Sequence, residues 1–517
     1  LSASRERKTR KNAGLDQNET KQREERAARR NRVIYIIIGV VAALLAIFTV
    51  VWNSGLIQRT VAAVTVGDRS YSAAHLQYYY QTAYNYEKAM ASYGLSGFNS
   101  SISAKSQTYS EAEGTTYYDY FMKQALEELK WYSAMAQSAK KDGYVLDQEG
   151  QEAVNSAMSS LKTQALTSRY GSVSALLKGN YGAYVTEGVY KQLLEERVTA
   201  SSYAQGHSDS LEYSDEELEA YYQENKDNLD HFALSYFVFR ASTQTSTTDE
   251  AGNTVELTEQ QQQALFEADK AEMQQKAEEV LAALEGGADF RALEEEYEPY
   301  GAYENETRIG SSVTEDFADW AKEAGRQAGD LTLTEYDGGT SYVYYVARFE
   351  DRVRDEDPTS YVRHILVAAE QDSDAAQPTE EQYAAAREKA EQLLAGWEAG
   401  EATEESFGAL AVEHSADTSS ASNGGLMSSP VTKYSGYVDP FTDWALAPAR
   451  RPGDTGIVQN TGSSTKGWHI MYFVNWEDPS WKYTARNTLR SEAYTEWSNA
   501  IVEAATLTEK SGMGYVK

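Results

Sequence analysis

Residues 363–470 open on Arg363-His364-Ile365-Leu366 and close on Gly467-Trp468-His469-Ile470, with Asp417 and Gly424-Gly425 between them. The two ends read as β-strands that each carry a histidine, and they bracket a helical middle. That arrangement predicts an α+β module with both imidazoles on one sheet. A single strand histidine is ordinarily a satisfied core residue, and a pair is less readily explained that way. Asp417, in Ser415-Ala-Asp-Thr-Ser-Ser420, suits a capping role at the turn around Ser419 and Ser420 as well as a chemical one. From the residues alone both roles stay open.

The layout occurs twice, as laying the chain on itself shows. Lys276-Ala277-Glu278 matches Lys389-Ala390-Glu391, Phe290 and Leu293 match Phe407 and Leu410, and Phe317, Trp320 and Ala321 match Phe441, Trp444 and Ala445. Gly329-Asp330 matches Gly453-Asp454, and YVARFED (Tyr345 to Asp351) matches YFVNWED (Tyr472 to Asp478), so the offset climbs from 113 to 127. The alignment predicts one module over 213–353 and a second over 354–478. It sets Ser235 and Tyr342 of the first copy where the second has His364 and His469. The first copy also lacks the Asp and Gly-Gly segment, so it is expected to keep the scaffold and to have lost the site.

Upstream, Ser214-Asp215-Glu216-Glu217 is a capping box, expected to start a helix running to about Asn225. Residues 60–212 read as one helical domain. It begins with a hairpin over Val61 to Tyr71, an N-cap at Ser72 and a helix from Ala73 to Ala91, followed by helices near 117–141, 148–168 and 183–203. Tyr78, Tyr79, Tyr80, Tyr84 and Tyr86 crowd aromatic surface onto the first of these helices, either as core or as a surface for binding polypeptide. Downstream, Trp481 to Leu507 form an amphipathic helix that needs a partner. Residues 479–517 are expected to pack on the helical domain, making it discontinuous in sequence.

Residues 1–32 hold eleven Lys or Arg against five Asp or Glu, and residues 33–52, VIYIIIGVVAALLAIFTVVW, carry no charge. Twenty helical residues at about 1.5 Å each cross the ~30 Å hydrocarbon core. A transmembrane helix is therefore predicted, with the basic tail in the cytoplasm and the bulk of the chain outside it. The rival is a cleaved signal peptide, for which both the polar lead and the apolar run are long. The absence of cysteine excludes disulfides, thiolate metal sites and a cysteine nucleophile, and fits bacterial export. A balance of 47 basic to 79 acidic residues, −32 in all, argues against nucleic acid as a partner. The chain has no Gly-x-Ser-x-Gly, His-Glu-x-x-His, P-loop or dinucleotide motif, and no metal or cofactor is expected.

On His364, Asp417, Gly424-Gly425, Phe441 and His469, residues 354–478 resemble a parvulin (PpiC-like) peptidyl-prolyl isomerase, over about a quarter of the chain. The discontinuous helical domain flanking two such modules resembles exported foldase-chaperones of the PrsA and SurA kind. The resemblance implies a catalytic set of His364, Asp417 and His469, with the histidines in a buried hydrogen-bond network and the aspartate beside the amide. Phe441 would belong to the proline cup, and Tyr437 stands where the family usually has Met. Leu426-Met427 follow Gly-Gly where the family usually continues Asp-Leu-Gly and an aromatic. Tyr437, Phe441, Leu426 and Met427 are thus the substrate-binding candidates. The implied protein is a single-pass foldase of the bacterial cytoplasmic membrane, acting outside the cytoplasm on unfolded, proline-containing exported polypeptides. The alternative is a non-catalytic holdase or envelope scaffold whose modules only bind. The segment Glu370 to Glu381, with five acidic residues and no Lys or Arg, argues against phosphorylated substrates.

Overall fold

The computed structural model describes residues 2–249, 252–371, 377–460, 462 and 465–516, with side chains only in part over 2–35 and not at 52–53. The chain forms two compact units, one of Leu1–Leu211 with Ser491–Lys517 and one of Glu212–Arg490.

In the first unit a long helix, Ser2–Asn53, contains the charge-free run, and Ile36 to Val50 of that run are exposed. Among the described residues no helix is long and apolar enough to cross a membrane. The predicted span falls partly outside those residues, since the side chains of 33–35 and 52 are not described. Beyond it, a hairpin of Ala62–Val66 and Arg69–Ser72 takes Leu507–Glu509 as a third strand, so the end of the chain pairs with its beginning. Helices Ala73–Ser92, Tyr117–Lys141, Gln148–Thr167, Val173–Tyr181 and Glu187–Asp209 follow. Ser72 stands at the expected N-cap, but its hydroxyl pairs with His75 Nδ1 at 2.8 Å instead of capping an amide. Of the tyrosine run, Tyr78, Tyr79 and Tyr80 lie in the core beside Phe121, and Tyr86 is exposed.

The second unit starts at the expected capping box. Ser214 Oγ accepts from Glu217 N, and the Glu217 carboxylate accepts from Ser214 N at 2.8 Å. The helix, Asp215–Leu229, passes the predicted end with a kink at Asn225. Two α+β modules follow. The first has strands in the order Gly301–Ile309, His231–Ser242, Ser341–Val353, Leu331–Asp337. Helices Glu259–Glu285 and Phe290–Tyr297 cover one face, and the short Ala318–Lys322 lies on the other. The second has strands Pro358–Ala368, Gly467–Pro479 and Thr455–Asn460, with Glu380–Glu398 and Glu404–His414 on one face and Asp439–Ala445 on the other. The final helix, Ser480–Ala504, buries Trp481 and Ala485 against Leu218 and Tyr222 of the second unit, while its Trp497 stacks on His207 within the first.

Strand register corrects the alignment of the two copies. Each central strand carries a bulge, past Phe349 in the first module and past Phe473 in the second. Gly329 N and Gly453 N donate to the carbonyls of these same two phenylalanines, and Arg326 and Arg450 each lie over the tryptophan six residues before them. Phe349 therefore matches Phe473, and Leu234 matches Val362 across the bulge. Stepping along the strands, Tyr236 occupies the place of His364 and Tyr345 that of His469. Ser235 and Tyr342 do not. The YVARFED and YFVNWED runs look alike three residues out of step, and an odd slip turns a side chain to the opposite face of a sheet. Tyr342 accordingly sits in the other layer, with Met273 and Ala277.

Candidate active site

His364 and His469 lie on neighbouring antiparallel strands, in which Leu366 pairs with His469 and His364 with Met471. The imidazoles are thus diagonal neighbours on one face, and their Nδ1 atoms approach to 3.0 Å. Both residues are buried. Asp417 reaches them from the opposite side: its Oδ2 is 3.0 Å from His364 Nε2 and accepts from Ser420 Oγ at 2.6 Å, while Oδ1 accepts from Ser419 N at 3.1 Å and Ser419 Oγ at 2.6 Å. The aspartate both caps the short helix Thr418–Ala421 and joins the histidine network, so the two roles left open by the sequence coexist.

The backbone around this network is tightly held. Ser415 Oγ accepts from Leu366 N at 3.1 Å and Ala416 N donates to Leu366 O at 2.8 Å, which ties the Asp417 segment to the His364 strand. Gly425 carries φ 72°, and a Cβ there would lie 2.3 Å from His364 O, so only glycine lets the chain approach the strand so closely. Its carbonyl accepts from His364 N at 2.9 Å. Arg363 Nη1 donates to the carbonyls of Asn423 and Gly424 at 3.0 Å each and completes the tie.

Burial pushes the His364 pKa down against the pull of Asp417, and burial with His364 alongside lowers His469 to about 3. For Asp417 burial acts upward, but hydrogen bonds from Ser419 and Ser420 outweigh it and hold the carboxyl at about 2. At neutral pH the set is two neutral imidazoles and one carboxylate. The protons follow from the partners: His364 Nε2–H donates to Asp417, so His364 Nδ1 is bare and accepts from His469 Nδ1–H. That leaves His469 Nε2 unprotonated.

Phe441, from helix Asp439–Ala445, stands edge-on to both imidazoles, with ring centroids 5.5 Å from His364 and 5.1 Å from His469. Tyr437 packs on Phe441 at 5.0 Å. A cavity of about 790 Å³ opens here, and its lining includes all seven residues singled out from the sequence: His364, Asp417, Leu426, Met427, Tyr437, Phe441 and His469. Ser420, buried and bonded to both Asp417 and His364, was read from sequence only as part of a capped turn. Its signal was the position three residues after Asp417 on one helical turn. Among the described residues no group of three His, Asp or Glu is placed to hold a metal.

In the first module Tyr236, Tyr345 and Phe317 form the equivalent ring triangle, with centroid separations of 5.0, 5.5 and 6.4 Å. The Tyr236 hydroxyl donates to Glu306, which also pairs with Arg308 at 3.2 Å. The scaffold recurs without an imidazole.

Residues 364–475 match the family model of the rotamase, or PPIC-type PPIase, domain. No curated protein matches the chain. Among solved structures it is similar to the peptidylprolyl isomerase PrsA of Bacillus anthracis, at 12% identity over 73% of this chain and 94% of that one, with a TM-score of 0.18. It is similar also to the foldase protein PrsA of Streptococcus pneumoniae (14%, 49% and 78%, TM-score 0.18) and to a SurA-like chaperone of Campylobacter jejuni (13%, 71% and 88%, TM-score 0.15). Overlaps this loose carry no argument about arrangement.

Proposed function

From a chain whose residues 364–475 are a PPIC-type peptidyl-prolyl cis-trans isomerase domain, we propose a foldase that turns X–Pro bonds in exported polypeptides. The observation that carries this reading is the His469–His364–Asp417 relay at the edge of a cavity walled by Phe441, Met427, Leu426 and Tyr437.

Rotation about an amide must break resonance, a barrier of ~20 kcal/mol, and it makes or breaks no bond to carbon. The planar amide places negative charge on its oxygen and positive charge on its nitrogen. A carboxylate held ionised beside that oxygen opposes the charge separation and so favours the twisted form over the planar one. Neutral histidines suit this task, since an imidazolium would stabilise the planar oxygen charge. The hydrogen bonds of Ser419 and Ser420 keep Asp417 ionised, His364 holds it in place, and His469 holds His364. Apolar walls grip the prolyl ring and exclude water.

The same reading places the protein in the bacterial cytoplasmic membrane through residues 33–52, with the basic tail inside. It is supported by the charge-free run and its basic flank. The helical unit closed by the C-terminal strand serves as the chaperone part, and the exposed Tyr86 is one of its aromatic contacts.

The test is refolding of a protein limited by proline isomerisation, with the full chain as catalyst. The unaltered chain should accelerate the slow phase, Asp417→Ala should reduce kcat/KM about tenfold or more, and Tyr236→Phe in the first module should leave it within about twofold. Suppressed aggregation with an unchanged slow phase would instead establish a holdase.

A further inference from the structure

One wall of the isomerase cavity is held from outside its own module. Gly436, Tyr437, Val438 and Phe441 line the cavity, and the four residues before them, Thr432–Ser435, form a tight turn. Thr432 N donates to Ser435 Oγ at 2.8 Å, and Tyr434 N donates to Thr432 Oγ1 at 3.0 Å. From this turn two side chains reach away from the module. Lys433 Nζ lies 2.9 Å from Asp355 Oδ1 and 2.6 Å from Asp357 Oδ2, in the lead-in to the second module's first strand where the first module ends. Tyr434 stacks on His231, the first residue of the first module's central strand pair, at a centroid distance of 4.1 Å and an angle of 27°.

Both anchors are buried. The Asp355 side chain is only 2% exposed, and His231 is covered on all sides. His231 faces Asp230, Asp355 and Lys433, and burial lowers its pKa, so a neutral ring meets the tyrosine. Asp230 is in turn fixed by Tyr222 Oη and Arg352 Nε, each at 2.6 Å, which makes the His231 end rigid. Packing beside the contact is incomplete: a cavity of about 450 Å³ opens next to it, lined in part by Asp355, Asp357, Lys433 and Trp476. A few side chains therefore carry the connection. The corresponding turn of the first module, Gly310–Ser312, is bonded through Gly310 N to Asp230 O, just before its own first strand.

We propose that the first module, though its ring triangle carries no imidazole, is a positioning element for the isomerase: its His231, stacked on Tyr434 beside the Lys433 pairs with Asp355 and Asp357, forms a clasp that sets where the Gly436–Phe441 wall stands. The turn is rigid, and only the left-handed Gly436 (φ 70°) separates it from Tyr437. A shift at the clasp thus passes directly to the ring that closes the cup. The wall contacts the prolyl side of the substrate in planar and twisted forms alike, so its displacement weakens binding more than turnover.

The kinetic half of this proposal rests on the isomerase reading, and the structural half does not. In the full chain, His231→Ala and Tyr434→Ser should speed amide exchange of Phe441 and Thr442, whose N–H groups are bonded to Val438 O, about tenfold and leave the His364 and His469 strands unchanged. With a Leu-Pro tetrapeptide, KM should rise roughly three- to fivefold with kcat within about twofold. Tyr434→Phe, which keeps the stacked ring, should restore both. If His231→Ala does not fold, Asp357→Asn, at a side chain 69% exposed, loosens the same clasp and is read by exchange. Unchanged exchange overturns the clasp, and so does faster exchange with an unchanged KM in an active enzyme. A chain with no isomerase activity refutes the proposed function, and the exchange result alone then decides the clasp.

Discussion

The two modules share one frame and differ in what fills it. Both have the bulged central strand, the loop glycine bonded to it, the arginine lying over a tryptophan and the phenylalanine in the cup. In the first, the ring triangle is Tyr236, Tyr345 and Phe317, and a fourth strand, Gly301–Ile309, pairs along the outer edge from His231 to Phe239. In the second, the described residues make two isolated bridges at that edge, Ser360 to Val431 and Arg363 to Leu426, and the chain there carries Asp417 and the glycines into the site. A closed edge satisfies the strand's backbone groups. An open one exposes a cavity and needs serines, glycines and Arg363 to tie it down. Losing the site and regularising the edge go together.

The largest expected effect comes from erasing the difference. His364→Tyr with His469→Tyr rebuilds the first module's triangle inside the second. We expect kcat/KM to fall about a hundredfold, while binding of a proline peptide stays within a few-fold because the apolar walls remain. Added to that disabled variant, the reverse pair, Tyr236→His with Tyr345→His, should restore no isomerase activity, since the first module has no counterpart of Asp417 on an open edge. Activity in that variant would break the comparison.

Next is the edge itself. Gly425 faces His364 across the strand as Glu304 faces Tyr236. Gly425→Ala meets both a positive φ and a carbonyl oxygen at 2.3 Å, and should cost about 2–3 kcal/mol with loss of the site. Glu304→Ala, at an exposed position in a regular strand, should lie within about 0.5 kcal/mol of neutral in the same denaturant titration.

Acid should then separate the modules. His364 and His469 have pKa values lowered by burial, the latter to about 3, whereas an unfolded chain takes up these protons near pH 6.5. Between those limits the unfolded state binds more protons, so stability falls as pH drops from about 6.5 towards 3. Asp417, held near 2, adds its loss only below about pH 4. The double tyrosine variant should show a shallower fall in denaturation midpoint from pH 7 to 4 than the unaltered chain. What remains of the slope includes the like-signed contributions of His75 and His231, which are also lowered, and the opposite ones of Glu128 and Glu196, which burial raises. An unchanged slope would mean that the two site histidines are already charged in the native protein.

The sequence made the second module legible for a physical reason: polar residues at fixed places in apolar strands have few explanations. His364, His469, Asp417 and the paired glycines stood out, and the cavity lining includes every candidate named with them. Register was not legible. A bulge leaves no mark in a run such as YVARFED, and similarity of type pulled the last strands three residues and the first strands one residue out of step, hiding Tyr345 behind Tyr342 and Tyr236 behind Ser235. Ser420 was missed because serine beside a capping aspartate is ordinary. Its burial between Asp417 and His364 appears only when the turn is laid against the strand. The fourth strand of the first module was hidden too, since Gly301–Ile309 is rich in polar residues and half exposed.

The smallest expected effect, at Tyr437, sharpens the comparison most finely. This ring is 40% exposed and packs on Phe441, and its hydroxyl, held neutral by burial and by the Asp417 charge, is a donor in a cavity whose other central groups mainly accept. If the ring serves only as a wall, it touches planar and twisted prolyl bonds equally. Tyr437→Ala should then raise KM about threefold with kcat nearly unchanged, and Tyr437→Phe should be silent. If the hydroxyl donates to the amide nitrogen as it loses resonance, both substitutions lower kcat alike by roughly tenfold, and KM hardly moves. Among the described residues no hydrogen bond aims the Tyr437 hydroxyl at an amide in the cavity, and in the first module the Tyr236 hydroxyl is engaged by Glu306. A wall is therefore the expected answer, and equal losses of kcat in the two variants would overturn it.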